Sequence, residues 1–153
     1  MEAEVLSIFL KVREDFSEIK KSVSLLKTYF QLHMSSPGMA MKLEEFEKML
    51  GFKPELIYTG KENRYGISVI YTIGPDVTKG IMAHEFAELV AREKDIHDHG
   101  AVDEICLEKG YGTELLLALE SVLPGRVERA FIDSTDLGTR IHRLRESIKK
   151  NNV

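Results

Sequence analysis

At 153 residues, 43% of them apolar and 30% charged, the chain can bury a core and fits one domain with a helical extension. A net charge of −4 argues against a broad basic nucleic-acid surface, and no stretch approaches the roughly 20 apolar residues that cross a bilayer. The single cysteine, Cys106, allows no internal disulfide, and the start Met-Glu-Ala-Glu lacks the basic and apolar runs of a secretory signal, so a cytoplasmic setting is expected.

Amide side chains are scarce: Gln31 is the sole glutamine, and Asn63, Asn151 and Asn152 are the only asparagines. Together with the many charges, this is thermophile-like usage.

Residues 3–33 read as one long amphipathic helix. Val5, Phe9, Val12, Phe16, Ile19, Val23, Leu26 and Phe30 step alternately by four and three, which makes a heptad seam. The seam is expected to pack on the chain's own domain or to join two copies into a homodimer. The chain therefore divides into a helix, 1–34, and a domain, 35–153. Ser35-Ser36-Pro37-Gly38 ends the helix, and a short helix over about 41–50 stops at Gly51.

Residues 55–59 and 65–73 are strand candidates around a hairpin loop, Gly60-Lys-Glu-Asn63, with Ile67, Val69, Tyr71 and Ile73 on one face. Thr78 is the expected cap of a helix over 79–94. A polar loop, Asp95-Ile-His-Asp-His-Gly100, leads to a helix near 101–109. Gly110-Tyr-Gly112 breaks the chain before a helix over 113–123. Residues 127–132 read as a third strand, and Asp133 or Ser134 as the cap of a last helix with Leu137, Ile141, Leu144 and Ile148 on one stripe. The fold class is α+β, mostly helical, with a small antiparallel sheet packed beside the metal-site helix.

That helix carries the chemistry. His84 and Glu88 are four residues apart, so they share a face one turn apart and can grip one ion at about 2 Å. Glu85 stands beside them, within reach of an ion-bound water. His84, His97 and His99 lie close together, among Asp95, Asp98, Asp103 and Glu104. The candidates for a further ligand are His97 or His99 in the turn after that helix, then Glu104, then Asp103 at the start of the next. His33 and His142 read as ordinary helix residues, and Cys106 as a small core residue.

Tyr65–Ile73 followed by Gly80-Ile-Met-Ala-His-Glu-Phe-Ala-Glu-Leu-Val90 resembles the edge strand and active helix of zincin metalloproteases, with Glu88 in the place of the second histidine. The resemblance implies zinc or another divalent metal, His84 as first ligand, Glu85 as general base, and an extended peptide or protein substrate held on the edge strand. It implies a zinc-dependent metallohydrolase, a small intracellular metallopeptidase. A non-catalytic metal-binding protein or a helical interaction module of the same ancestry is the alternative. No nucleic acid and no membrane is expected as a partner.

Overall fold

A computed structural model of the chain describes residues 2–34, 36–62, 64–71, 74–125 and 130–151. The fold is α+β and mostly helical. The first helix, α1, spans Glu2–Asp15, roughly half the length that the seam predicts. It stops because the Arg13 guanidinium donates to the carbonyl oxygens of Phe16, at 2.7 Å, and Ile19, at 3.0 Å, which closes a turn. The chain then enters strand β1, Val23–Leu26, whose four residues are all buried. Val5, Phe9, Val12, Phe16, Ile19, Val23 and Leu26 all lie in the chain's own interior, and only Phe30, 67% exposed, faces outward. The single helix over 3–33 is thus corrected, while its apolar residues pack on the chain's own domain, the first of the two arrangements expected for the seam.

A short 3-10 helix, Phe30–His33, precedes β2, Gly38–Lys42, and α2, Leu43–Leu50, follows directly. Strands β3, Leu56–Tyr58, and β4, Tyr65–Val69, complete a sheet of order β2-β4-β1-β3. β4 and β3 are not a hairpin, because β1 lies between them. β1 runs parallel to β4, with Val23 opposite Tyr65 and Leu25 opposite Ile67, and antiparallel to β3. β2 is antiparallel to β4, with Gly38 opposite Val69 and Lys42 opposite Tyr65. The sheet is therefore mixed rather than antiparallel.

Alternation along β4 divides the interior. Tyr65, Ile67 and Val69 join the main core with Phe9, Phe16 and Phe86. On the other face, Gly66 approaches Leu26, Leu43 and Phe46, the centre of a smaller cluster. Helix α3, Pro75–Glu93, occupies the middle of the main core, against α1, α5 and β2. Pro75 sits at its first turn, where a missing N–H costs nothing, and Gly74 precedes it at φ 100°. Thr78 does not cap the helix; within it, its hydroxyl donates to the Gly74 carbonyl at 2.7 Å.

The remaining helices are α4, His99–Glu108, α5, Gly112–Gly125, and α6, Ala130–Asn151. Residues 126–129, part of the strand expected over 127–132, lie outside the described residues, and from Ala130 the chain is helical. Asp133 and Ser134 fall inside α6 rather than at its cap. Of the stripe expected on α6, Leu137, Ile141 and Leu144 are buried and Ile148 is half-buried.

Candidate metal centre

α3 presents His84, Glu85 and Glu88 to a cleft of about 370 Å³. The wall opposite is β2, through Gly38, Met39, Ala40 and Met41, while α5 and α6 close the side. One ligand atom from each of His84, Glu85 and Glu88 lies within 4.8 Å of the others, and among the described residues no other such group of three occurs. A histidine nitrogen with two carboxylate oxygens is a donor set that suits zinc and other divalent ions, so these residues fit the group that the motif implies.

The spacing explains the cluster. His84 and Glu88 are one turn apart, with Nε2 3.7 Å from Glu88 Oε1, and Nδ1 of the same ring is 3.8 Å from Glu85 Oε1. At those distances the carboxylates are electrostatic neighbours of the ring rather than hydrogen-bond acceptors. Glu85 is 5% exposed, pressed against β2 where that strand begins. A Cβ on Gly38 would stand 2.9 Å from Glu85 Cγ and 2.7 Å from Ile81 Cγ2, so only glycine permits the approach.

Arg140, from α6, enters the same cleft. Its Nε and Nη2 donate to the two Asp103 oxygens at 2.8 and 2.9 Å, and Nη2 lies 3.3 Å from His84 Nε2. Both side chains of the pair are largely buried, at 12% and 8% exposure. Burial pulls the His84 pKa down, but Glu85 and Glu88 outweigh burial and Arg140, and the net shift is upward. That direction conflicts with the Arg140 contact, because an N–H donor needs a lone pair on Nε2 and so a neutral ring. Nε2 cannot serve Glu88 as a donor and Arg140 as an acceptor at once, whereas Nδ1 is left to face Glu85.

The third-ligand expectations fare unevenly. His97 is exposed, pairs with Asp95 at 2.9 Å and is not in the cluster; it lines a neighbouring cavity of about 270 Å³, which shares Ala40 and Glu88 with the first. Glu104 is exposed on α4 and is not in the cluster either. His99 begins α4, and its side chain lies outside the described residues. Asp103, last in the expected order, reaches the site indirectly, by holding the Arg140 guanidinium. Cys106 is buried, and burial first, then the charges of Asp103, Glu85 and Glu88, push its thiol pKa up, so it stays protonated.

The edge strand is also reassigned. β4 is an inner strand, and β2 is the edge that faces the motif helix. Arg140 carries a signal that sequence reasoning passed over. It stands three residues after Leu137 and four before Leu144, so a charge sits on the inward stripe of α6.

No helix among the described residues is long and apolar enough to cross a membrane. No family model, no curated protein and no solved structure matches the chain.

Proposed function

We propose that the chain is a divalent-metal-dependent hydrolase of the zincin kind, acting in the cytoplasm on an extended peptide laid along β2. One observation carries this reading: His84, Glu85 and Glu88 converge within 4.8 Å on the floor of a cleft whose far wall is an antiparallel edge strand. An unpaired strand edge offers a row of backbone donors and acceptors that an extended peptide can complete. Among the described residues two carboxylates, Glu85 and Glu88, stand beside His84 in the cleft, a donor set of a charge that suits a dication.

His84 and Glu88 would hold the ion, zinc in the first instance. When bound, the ion lowers the pKa of a coordinated water and polarises the scissile carbonyl. Glu85 is the proton acceptor in this reading: it takes a proton from the attacking water and delivers it to the leaving amine. Its burial against Gly38 holds the carboxylate in one place. The proximity of Arg140 to His84 favours a second reading, a peptide-binding module of the same ancestry in which a guanidinium serves as the resident cation.

Metal analysis of untagged protein, with cleavage of a peptide library, tests the proposal. The expected result is close to one divalent ion per chain, lost in His84→Ala, with cleavage reduced by about 10² or more in Glu85→Gln at unchanged metal content. Protein that holds neither zinc nor another divalent ion after reconstitution sinks the metal-centre reading. Protein that holds the ion yet cleaves no peptide overturns the hydrolase and leaves a non-catalytic metal-binding protein, while the second reading requires peptide binding by protein that holds no ion.

A further inference from the structure

Arg140 is held too firmly, and too close to His84, to be a bystander. The guanidinium is bound through two parallel N–H donors to a carboxylate that is itself buried, an arrangement that fixes orientation as well as position. From that position Nη2 reaches to 3.3 Å of His84 Nε2. An N–H donates to a ring nitrogen only where that nitrogen carries its lone pair, which is also the form of the ring that binds a metal. Glu88 Oε1 lies 3.7 Å from the same nitrogen. Nε2 has a single lone-pair position, so an ion held about 2 Å from it would compete with Nη2 for that position. It would also meet a second cation in a largely buried cleft, where like charges repel far more strongly than in water.

We propose that Arg140, parked on Asp103, is an internal competitor for the metal site, so that an ion binds His84 and Glu88 only when Nη2 withdraws from Nε2. This role rests on the metal-centre reading above and adds to it a gate supplied by α6. Asp103 is the positioning residue of the gate, since its two oxygens set where the guanidinium stands.

The experiment measures Zn²⁺ and Mn²⁺ affinity, by competition with a chromophoric chelator, for the full wild-type chain, Arg140→Met and the double variant Asp103→Asn/Arg140→Met. The double variant is included because Arg140→Met alone leaves a carboxylate buried without its partner and can compromise folding. The expected result is an affinity at least about tenfold tighter in the folded variants, since a positive charge within a few ångströms of the ion is gone. A measurement on wild-type protein stands beside it: Zn²⁺ should shift the NMR signal of the Arg140 Nε–H as the side chain leaves His84. Affinity that is unchanged or weaker in the folded variants, or an Arg140 signal indifferent to bound Zn²⁺, overturns the competitor role and leaves the metal centre standing. Binding of neither ion by any of the three proteins overturns both. Weak uptake by wild type with tight uptake by either variant is the strongest support.

Discussion

His33, read from the sequence as an ordinary helix residue, ties three segments together. Its Nδ1–H donates to the Ser36 carbonyl at 2.9 Å, and Nε2 accepts from the Ser68 hydroxyl at 2.8 Å, so the ring works here as one neutral tautomer. Burial holds its pKa below the ordinary histidine value, and the Ser36 carbonyl works weakly the other way. The unfolded chain therefore binds this proton more tightly than the folded one. The stabilisation is complete above about pH 6.5 and is lost as pH falls through the lower folded value. Chemical denaturation between pH 5 and 8 checks this: wild type should weaken toward the acid end more steeply than His33→Gln, and equal slopes would mean that the ring is not the group responsible. Gly38 acts on the centre more directly. Gly38→Ala places a methyl 2.9 Å from Glu85 Cγ and 3.0 Å from Cδ, so Glu85 must turn or β2 must lift. We expect a stability loss of about 1–3 kcal/mol with a clear drop in Zn²⁺ affinity or cleavage. A loss of stability with an unaltered site would place the strain on Ile81 instead.

Among the elements, the contact of α3 with α5 is the least tolerant. A Cβ on Gly80 would lie 2.1 Å from the Glu114 carbonyl oxygen, and a backbone atom cannot rotate away as a side chain can. Gly80→Ala should cost on the order of 3 kcal/mol, read as a lowered thermal midpoint and denaturant midpoint. A midpoint near that of wild type would show that the two helices slide apart freely. Sequence legibility follows the same physical lines. Helices with one apolar stripe were readable, as in α2 and α6. The helix expected over 3–33 holds only to its midpoint: β1 is buried on both faces, so Val23 and Leu26 match a helical step and a strand equally well. β2 was not readable, since Gly38-Met-Ala-Met-Lys42 has no β-branched residue and owes its conformation to pairing with β4. The order of the strands was hidden for the same reason, because pairing between β1 and β4 is a long-range contact that no local spacing announces.

For the molecule as a whole, the local part of the candidate centre was legible and the long-range part was not. His84, Glu85 and Glu88 follow from one helical turn, whereas Arg140 and Asp103 reach the cleft only because α4 and α6 pack beside α3. The same dependence on distant segments decides how the chain divides. A boundary at residue 34 would separate α1 and β1 from the rest, yet β1 pairs with β4 on one side and with β3 on the other. Among the described residues β3 pairs with no other strand, so without β1 it has nothing to hold it. Phe9 packs tilted and Phe16 stacked against Phe86 of α3, at 5.4 and 5.6 Å, and the Tyr111 hydroxyl donates to Asp15. Removing residues 1–34 therefore uncovers the face of α3 opposite the cleft as well as the middle of the sheet. We expect a 35–153 fragment to show no cooperative thermal transition and a collapsed amide NMR spectrum, while the full chain melts cooperatively. A fragment with a sharp transition and dispersed amide signals would establish 35–153 as a domain in its own right. Light scattering on the full chain addresses self-association separately, because seven of the eight seam residues are already covered by the chain itself. A homodimer found there would have to use another surface, and the exposed side chains of Phe30 and Met34, at 67% and 80%, are where substitution should first weaken it.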